Sequence, residues 1–414
     1  MLIAGEASGD LLAAELVSAL REQSSILHPP SSPIFFGAGG AKMAAAGVEL
    51  AFDLTQHSVI GITDVLKNIL KFRRLFNQLL ALAIERKPDV VIGVDYGGFN
   101  LRFGQAVKKY VRENPFSMWN PKIVQFVSPQ VWASRPGRAD KLARDYDLLL
   151  SIFPFEKDWY AKRVPQLRVE FVGHPMIGRF ANDDLRFTSG LAEGASIINR
   201  QSKILLLPGS RKSELQRHLP VMLGALELIQ SQLPGVRAKM VLPNIELKRE
   251  LVGPMNQISK ELARRGRKIG LNSMPSAPEN SLNNIEFQIG ELPWALAEAD
   301  VAIASTGTVT MECAFFGVPT VTLYKTSWLT YQIARHIVTV KSLTMPNLLA
   351  GETVYPEFIQ NDATPENLAR ATLELLQDDS RRANIKAQLG KIISSLGEPG
   401  AAGRAAEAVL SLFW

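Results

Sequence analysis

The chain has 414 residues, of which 46% are hydrophobic and 21% charged, so it has the composition of a globular protein and not of a disordered one. Its single cysteine, Cys313, excludes an intrachain disulfide and a zinc site built from cysteines. The formal net charge of +6 favours anionic ligands or an anionic membrane surface. The sequence contains no apolar run long enough for a membrane span and no signal-peptide pattern, so it predicts a cytoplasmic location.

Short apolar runs alternate with helical patterns through the first half of the chain. The longest helical pattern covers about residues 61–86, and Pro88 separates it from the next apolar run. Continuous apolar runs are typical of parallel strands buried on both faces. The predicted strands are Met1–Ala4, Ile34–Phe36, Asp89–Val94, Ile123–Val127 and Leu148–Phe153.

A polar stretch, Ala181–Gly194, interrupts this alternation and is predicted to be a linker. Strands then follow at Lys203–Leu207, Lys239–Leu242, Glu286–Ile289, Val301–Ala304 and Thr320–Leu323, with a surface loop at Asn272–Asn284. The pattern predicts an α/β protein with two Rossmann-like, doubly wound domains, residues 1–178 and 195–350. Residues 351–414 are predicted to form a helical tail. In such sheets ligands bind at the carboxyl ends of the strands.

Several well-known site motifs are missing from the sequence. It has no phosphate-binding P-loop, and Gly37–Lys42 lacks the third glycine of the dinucleotide fingerprint. The five histidines are scattered without the spacing of metal ligands, so no metal site is predicted. Asp145-Tyr146-Asp147 matches the D-x-D motif of metal-dependent sugar transferases, but it opens a strand, and we interpret it as structural.

Two loops of the second half have the composition of an anion site. Ser210 and Arg211 follow one predicted strand, and Ser305-Thr306-Gly307-Thr308 follow another. Backbone N–H groups at a helix start, together with a guanidinium, bind phosphate or diphosphate. Glu312 lies where a ribose attached to that diphosphate would be and could accept from its hydroxyls. The alternative is that these residues only cap helices.

Two carboxylates follow strands of the first half. Glu6 lies in a glycine-containing loop after the first strand, and Asp95 follows Asp89–Val94. A carboxylate at the end of a buried strand is well placed to act as a general base. The alternative for Asp95 is a turn aspartate that binds its own backbone.

The segment 62–82 combines an apolar face with cations. A basic, apolar helix of this kind either lies in an anionic membrane interface or packs in the core as an amphipathic helix. The residues expected at a membrane are Leu66, Lys67, Ile69, Leu70, Lys71, Arg73 and Arg74.

Taken together, these motifs resemble the lipid-A-disaccharide synthases, membrane-peripheral glycosyltransferases of lipopolysaccharide biosynthesis. The resemblance covers essentially the whole chain. It is carried by the blocks Ile3–Asp10, Lys87–Asp89, Phe126–Trp132, Phe153–Lys157, Phe171–Pro175, Leu206–Arg211, Ala304–Glu312 and Leu343–Gly351.

The resemblance implies a GT-B fold, whose two domains face an interdomain cleft. It implies that UDP-2,3-diacylglucosamine binds to the second domain and that 2,3-diacylglucosamine 1-phosphate is joined to it through a β-1,6 link, without a metal cofactor. Asp95 and Glu6 are then catalytic. The substrate-binding residues would be Asn100, Ser210, Arg211, Ser305, Thr306, Gly307, Thr308, Glu312 and Asn347.

The resemblance also implies partners and leaves alternatives. It predicts contact with the inner-membrane surface, no nucleic-acid partner, and a homodimer that exchanges segments from the region 365–414, which otherwise would pack back on the first domain. Many relatives carry an aspartate where this chain has Gly98. A UDP-sugar epimerase of the same fold and a non-catalytic nucleotide-binding paralogue remain as alternatives at this point.

Overall fold

The computed structural model describes residues 1–27, 33–57, 62–180, 202–249 and 285–413, and for residues 26, 27, 57 and 62–69 the backbone alone. The chain divides into two compact units. Met1–Asp183 and Leu396–Trp414 form the first, and Asp184–Ser395 form the second. Each unit contains one parallel sheet whose strands are connected by helices, so the α/β class predicted from the sequence is confirmed. The predicted linker Ala181–Gly194 and loop Asn272–Asn284 lie outside the described residues.

The sheet of the first unit has seven strands in the order β3-β2-β1-β4-β5-β6-β7. The strands are β1 (Leu2–Ala4), β2 (Phe36–Gly39), β3 (Glu49–Asp53), β4 (Val90–Val94), β5 (Lys122–Phe126), β6 (Leu148–Ser151) and β7 (Val169–Phe171). The helices are α1 (Ala7–Leu27), α2 (Ala41–Ala45), α3 (Ile62–Arg86), α4 (Gly97–Glu113), α5 (Val131–Ser134), α6 (Arg138–Asp145) and α7 (Pro154–Arg163).

The sheet of the second unit has six strands in the order β10-β9-β8-β11-β12-β13. The strands are β8 (Lys203–Leu207), β9 (Arg237–Leu242), β10 (Ile285–Ile289), β11 (Val301–Ser305), β12 (Thr320–Tyr324) and β13 (Glu357–Ile359). The helices after residue 202 are α8 (Lys212–Gln232), α9 (Leu292–Glu298), α10 (Val309–Phe315), α11 (Trp328–Ile337), α12 (Met345–Ala350), α13 (Pro365–Gln377), α14 (Asp379–Ser395) and α15 (Ala401–Leu410).

The central strands are mostly apolar because both faces of each sheet are covered. Four of the five residues of β4 are buried, and so are four of the five residues of β8. These strands lie beside β1 and β11, respectively, with Ala4 opposite Val94 and Leu207 opposite Ala304. The register brings the carboxyl ends of neighbouring strands level with one another, which places their loops side by side.

Strand β2 begins two residues later and ends three residues later than the predicted strand. Phe36–Gly39 is fully buried, although its glycines suggest a turn. Gly37 has φ +156, and a Cβ atom there would lie 1.8 Å from the carbonyl oxygen of Leu2. The glycine is therefore required by the close approach of β1, and a glycine-rich sequence forms a central strand here.

The C-terminal region is divided differently from the predicted tail 351–414. Residues up to Ser395 belong to the second unit, where β13 extends the sheet and α13 packs on α8. Their apolar side chains are part of the core of that unit. The buried ones include Leu368, Leu375, Leu376, Ile385, Leu389 and Ile392. A three-residue strand such as β13 is too short to be recognised by periodicity.

The last helix, α15, packs on α1 of the first unit. Gln23 donates a hydrogen bond to the carbonyl oxygen of Gly403 at 2.9 Å. Arg404 donates from Nε to the carbonyl oxygen of Val172 and from its Nη groups to those of Glu398 and Pro399. The chain therefore completes its first unit with its last described residues.

Candidate functional site

Both sheets reverse their strand order at one point, and the predicted site loops follow the strands at these points. In the first sheet the reversal lies between β1 and β4, and in the second between β8 and β11. The loops that leave such a pair of strands diverge and leave a crevice, which is the usual ligand site of open α/β sheets. Glu6 and Asp95 follow the first pair, while Arg211 and Thr306 follow the second.

Asp95 and Tyr96 have an unusual backbone conformation at the end of β4. Their φ angles are +51 and +46, so two successive residues other than glycine lie in the left-handed region. Such strain persists only where surrounding contacts hold it, and it occurs often at functional sites. Here the Asp95 N–H donates to the carbonyl oxygen of Phe126 at 2.8 Å. The side-chain amides of Asn100 and Gln125 donate to the Asp95 carbonyl oxygen at 2.8 and 3.0 Å.

The Asp95 carboxylate is largely removed from water. Burial raises its pKa, and hydrogen bonds from the Tyr96 backbone and the Ser8 hydroxyl only partly oppose this effect. The Ser8 Oγ–Asp95 Oδ2 distance is 3.4 Å. A carboxylate with a raised pKa is a stronger base than one in water.

Glu6 and Tyr96 lie next to each other beside Asp95. A Cβ atom at Gly5 would lie 2.3 Å from the Tyr96 ring, so only glycine leaves room for this ring. Burial, together with the negative charge of Glu6, raises the pKa of the Tyr96 phenol. The structure therefore brings Glu6 and Asp95, the two predicted catalytic residues, into one region of the first unit.

Asn100 lies inside the fold, and its predicted role as a substrate ligand stays a prediction. Its side chain is buried, and its amide nitrogen donates to the carbonyl oxygens of Ile3, Val94 and Asp95. These contacts tie together the ends of β1 and β4. Asn100 thus holds the Asp95 backbone in position through its side-chain amide.

A cavity of about 350 Å³ opens beside Asp95 within the first unit. Asp95 and the first turns of α4 form one wall, and the segment 127–138 forms another. Gly98 lines the cavity, and no described atom lies within 4 Å of where its Cβ would be. The Cβ atom of a larger residue at this position would fit without a clash.

A buried carboxyl group that the sequence analysis overlooked supports the wall of this cavity. Glu156 accepts hydrogen bonds from Trp132 Nε1 at 2.9 Å and from the Phe153 N–H at 3.4 Å. Burial raises its pKa to about 7, although hydrogen bonds from Trp132 and Ser128 act in the opposite direction. Ser128 itself is 3.1 Å from the Tyr160 hydroxyl and lines the cavity. The sequence did contain a signal for Glu156, because the residue lies in Phe153–Lys157, one of the blocks that carry the family resemblance.

The first anion loop of the second unit lies between β8 and α8. Gly209 has φ +121, and Arg211 precedes the first residue of α8. Glu214 accepts from the Ser210 N–H at 3.2 Å and forms an ion pair with Arg211 at 3.2 Å. The contact uses Nη1, one group of a guanidinium that has five N–H donors, and the Arg211 side chain is 43% exposed. Glu214 thus makes a capping contact at the start of α8, and Arg211 still presents an accessible cation.

His218 connects this loop to the end of β12. The ring is fully buried, with Nδ1 2.8 Å from the Pro208 carbonyl oxygen, and Nε2 accepts from the Lys325 N–H at 3.0 Å. The second contact fixes the tautomer, so that Nδ1 carries the proton. Burial lowers the pKa of His218, and the neutral ring is retained. No motif in the sequence pointed to this histidine.

The second anion loop leaves β11 next to the first. Ser305 is buried as the last residue of the strand, whereas Gly307 and Thr308 are exposed. The Thr306 N–H donates to the carbonyl oxygen of Leu323, and Thr310 Oγ1 donates to that of Gly307 at 2.7 Å. Glu312 lies half-buried in the first turn of α10. The structure therefore gathers the predicted nucleotide residues, except Asn347, around β8 and β11.

Asn347 is the exception because its hydrogen-bonding groups are used inside the fold. Its amide nitrogen donates to the Tyr355 carbonyl oxygen and to Glu357, both at 2.8 Å. Its oxygen accepts from the N–H groups of Val354 and Tyr355. Two donors and two lone pairs are thereby occupied. The prediction that Asn347 contacts substrate is not supported, and the residue shapes the loop before β13.

The D-x-D motif is structural in this chain, as predicted. Asp145 is fully buried between Arg112 and Arg144, and Asp147 accepts from the Ile123 N–H at 2.8 Å. In the part of the chain that the structure describes, no group of three or more histidine, cysteine, aspartate or glutamate side chains could hold a metal ion.

Comparison with known families decides what kind of protein this is. The family model described as LpxB, lipid-A-disaccharide synthetase, matches residues 1–269 and 271–410. The chain belongs to the lipid-A-disaccharide synthetase family. It is similar to the lipid-A-disaccharide synthases of Myxococcus xanthus (34% identity, 100% of this chain and 97% of that one) and Trichlorobacter lovleyi (35%, 100% and 97%). It is therefore an enzyme, a hexosyltransferase with a role in lipid A disaccharide synthesis.

Solved structures with the same fold are more distant in sequence. The S. aureus MnaA–UDP structure matches with a TM-score of 0.60 over 100% of this chain and 96% of that chain, at 12% identity. The glycosyltransferase of kitacinnamycin matches with a TM-score of 0.54 over 99% and 97%, at 17% identity. These likenesses establish the fold, and the GT-B class expected for a lipid-A-disaccharide synthetase is confirmed.

The part of the synthetase predicted to meet a membrane is the first half of α3. Leu70 is 79% exposed, and Lys71, Arg73 and Arg74 are exposed beside it. The side chains of Leu66, Lys67 and Ile69 lie outside the described residues. Among the described helices, none is both long and apolar enough to cross a bilayer.

Proposed function

We propose that this enzyme transfers 2,3-diacylglucosamine from UDP to 2,3-diacylglucosamine 1-phosphate, with formation of a β-1,6 link and release of UDP. Membership of the family supports the general reaction. The observation that carries the proposal is the position of Asp95, a largely buried carboxylate with a raised pKa that lines a cavity at the reversal point of the first sheet. The substrates follow from the resemblance to the family, and the cavity has the size of a small-molecule site.

In the proposed mechanism Asp95 is the general base. The 6-hydroxyl of the acceptor attacks the anomeric carbon of the donor from the face opposite UDP, and its proton passes to Asp95. The new O6–C1 bond forms as the bond between C1 and the diphosphate oxygen breaks. A single displacement of this kind inverts the anomeric centre. Glu6 lies near Tyr96, and we propose that its charge keeps the surroundings of Asp95 negative.

The nucleotide is assigned to the loops after β8 and β11. Arg211 and the donors of Thr306, Gly307 and Thr308 would neutralise the diphosphate as its negative charge develops, and Glu312 would accept from the ribose hydroxyls. Glu214 holds Arg211 at the start of α8 by the ion pair described above. Since these groups balance the charge, the proposal includes no metal cofactor.

The same resemblance supports a location at the cytoplasmic face of the inner membrane. The acyl chains of both substrates favour a protein that works at a lipid surface, and exposed Leu70 with its neighbouring cations would supply the contact. A segment-exchanged homodimer is part of this proposal. In such a dimer the region from residue 396 would dock on the partner subunit in the way that it docks here on α1.

The reaction is tested by incubating the protein with the UDP sugar, with and without the 1-phosphate acceptor, and separating the products. We expect a disaccharide phosphate and UDP only when the acceptor is present, at a rate that EDTA does not change. Asp95→Asn should lower kcat by about 10²–10⁴-fold, because general base catalysis typically contributes that much. Binding of UDP, measured by calorimetry, should be unchanged.

Two results would contradict the proposal. Conversion of the UDP sugar without acceptor would indicate an epimerase. A near-normal rate in the Asp95→Asn variant would remove Asp95 as the base.

A further inference from the structure

The wall of the Asp95 cavity carries a cluster of arginines. Arg135 and Arg138 line the cavity on the segment between α5 and the first residue of α6. Arg102, which follows the cavity residue Leu101 on α4, is close enough to act on Arg138 electrostatically. Two cations thus line the same cavity as the carboxylate that the proposed mechanism requires to be a base, and a third lies close to one of them.

These arginines have no acidic partner among the described residues. Over the described residues, none of the three lies within ion-pair distance of a carboxylate. In contrast, Arg86, Arg112, Arg144, Arg168 and Arg179 each form an ion pair. Asp95 is the sole acidic side chain among those described as lining the cavity. The guanidinium groups therefore remain available to a ligand.

Without a bound anion, the positive charges of the cluster repel one another. Burial, together with the charges of Arg135 and Arg102, lowers the pKa of Arg138, so the environment disfavours its positive charge. A bound anion would reverse this effect by attraction. The paired N–H donors of a guanidinium group match the geometry of phosphate oxygens and bind them with two parallel hydrogen bonds.

We propose that Arg135 and Arg138, assisted by Arg102, form the binding site for the phosphate monoester of the sugar acceptor. The inference rests on the proposed function. In the acceptor C1, which carries the phosphate, and C5, which carries the 6-hydroxymethyl group, are separate ring positions on either side of the ring oxygen. A ring held by its phosphate at the arginine wall would extend its 6-hydroxyl toward Asp95 on the other wall. The arginines would thereby select the acceptor and set its direction, while the nucleotide loops hold the donor.

The test compares phosphorylated and unphosphorylated acceptors in variants of the two wall arginines. We expect Arg138→Ala and Arg135→Ala each to raise KM for 2,3-diacylglucosamine 1-phosphate about 10–100-fold, the usual loss of a charge-assisted contact. KM for the UDP sugar should stay unchanged. With 2,3-diacylglucosamine that lacks the phosphate, wild type and variants should react at the same low rate.

Lys141→Ala is the matched control, because Lys141 is an exposed cation on the same helix but does not line the cavity. It should behave like wild type with both acceptors. Sedimentation of the arginine variants with phosphatidylglycerol vesicles should equal that of wild type, which separates the substrate phosphate from lipid headgroups as the bound group.

Three outcomes would overturn the inference while the wild type makes the disaccharide. The first is an equal loss of activity with both acceptors, which would indicate a structural role. The second is a rise in KM for the donor alone, and the third is a loss of vesicle binding. Failure of the wild type to form any disaccharide would instead refute the proposed function.

Discussion

Asp95 and Glu156 are both carboxyl groups whose pKa burial raises, but their surroundings give them different uses. Asp95 lines the cavity and has a single side-chain donor, Ser8, at 3.4 Å. Glu156 lies behind the cavity wall, where Trp132 and the Phe153 backbone donate to its two oxygens. The first is placed to exchange a proton with a substrate, and the second holds the segment that carries Ser128 and Trp132.

The raised pKa of Glu156 predicts a pH-dependent stability. In the folded protein the group titrates at about pH 7, against 4.5 in the unfolded chain. The protonated Glu156 carboxyl stabilises the folded state, and this stabilisation is fully present below pH 4.5. It is lost as the pH rises to 7, because the unfolded chain releases the proton first. The loss amounts to about 3 kcal/mol at most. Glu156→Gln keeps the shape of the side chain but does not titrate.

Denaturant unfolding of wild type and Glu156→Gln, followed by tryptophan fluorescence, measures this effect. Between pH 4.5 and 7 the free energy of unfolding of the wild type should fall relative to that of the variant, and above pH 7.5 the difference should be constant. Parallel pH profiles would show that Glu156 does not titrate in this range.

At the residue scale the sequence predicted the groups that directly follow buried strands. Asp95, Arg211 and the loop 305–308 were found because an apolar run ends immediately before each of them. Asn100 and Asn347 were assigned to substrate through the family resemblance, yet both amides bind backbone groups. The partners of Asn100 include Ile3, which is 97 positions away in the chain. Such long-range contacts leave no local pattern, and His218 was overlooked for the same reason.

Among the elements, α3 shows two different environments along its length. Leu79 and Ala83 are fully buried in the core of the first unit, and Phe76 makes edge contacts with Phe99 and Phe103. The turn from Leu70 to Arg74 is instead exposed, apart from Phe72, which is half-buried. The sequence left open whether this helix packs in the core or meets a membrane. Its second half packs in the core, and the first turn whose side chains are described is exposed and available for lipid.

Charge reversal in this turn tests the membrane contact. The triple variant Lys71→Glu, Arg73→Glu and Arg74→Glu should bind phosphatidylglycerol vesicles at least 10-fold more weakly, because each cation near an anionic surface contributes about 1 kcal/mol. Lys386→Glu with Lys391→Glu is the control, since both lysines are exposed on α14. Sedimentation with the vesicles measures the binding of the triple variant and of the control. Equal binding by the triple variant and the wild type would exclude α3 as the docking element.

The predicted elements were most accurate where strands are central and apolar. β8 has the predicted bounds, and β4 differs by one residue. The sequence did not reveal β3, β7 and β13, which lie at the edges of their sheets. β7 and β13 have only three residues each, and none of the residues of β3 is fully buried. These three edge strands have one neighbour and less apolar surface, so their sequences lack a clear pattern, whereas β10, the remaining edge strand, was predicted.

At the scale of the whole molecule, the stability of the first unit depends on the last part of the chain. Arg404 supports α15 through the carbonyl oxygens of Val172, Glu398 and Pro399, all of which precede the helix in the sequence. Arg404→Ala removes these donors and should lower the free energy of unfolding of the first unit by about 1–3 kcal/mol. Hydrogen exchange of the amides of α1 and α15 should accelerate accordingly.

Arg381→Ala is the control for this prediction. Arg381 forms an exposed ion pair with Glu374 in the second unit, and exposed pairs of this kind contribute about 0–1 kcal/mol. It should leave the exchange of α1 and α15 unchanged. If Arg404→Ala also left it unchanged, α15 would not support the first unit.

The docking of α15 on α1 sets an order for biosynthesis. The ribosome makes α1 before α15, with about 370 residues between them. At roughly 5–20 residues per second, some 20–75 s pass before the partner of α1 leaves the exit tunnel. During this interval the nascent chain exposes the apolar surface of α1 that α15 later covers, and a chaperone or a neighbouring copy of the protein can reach it.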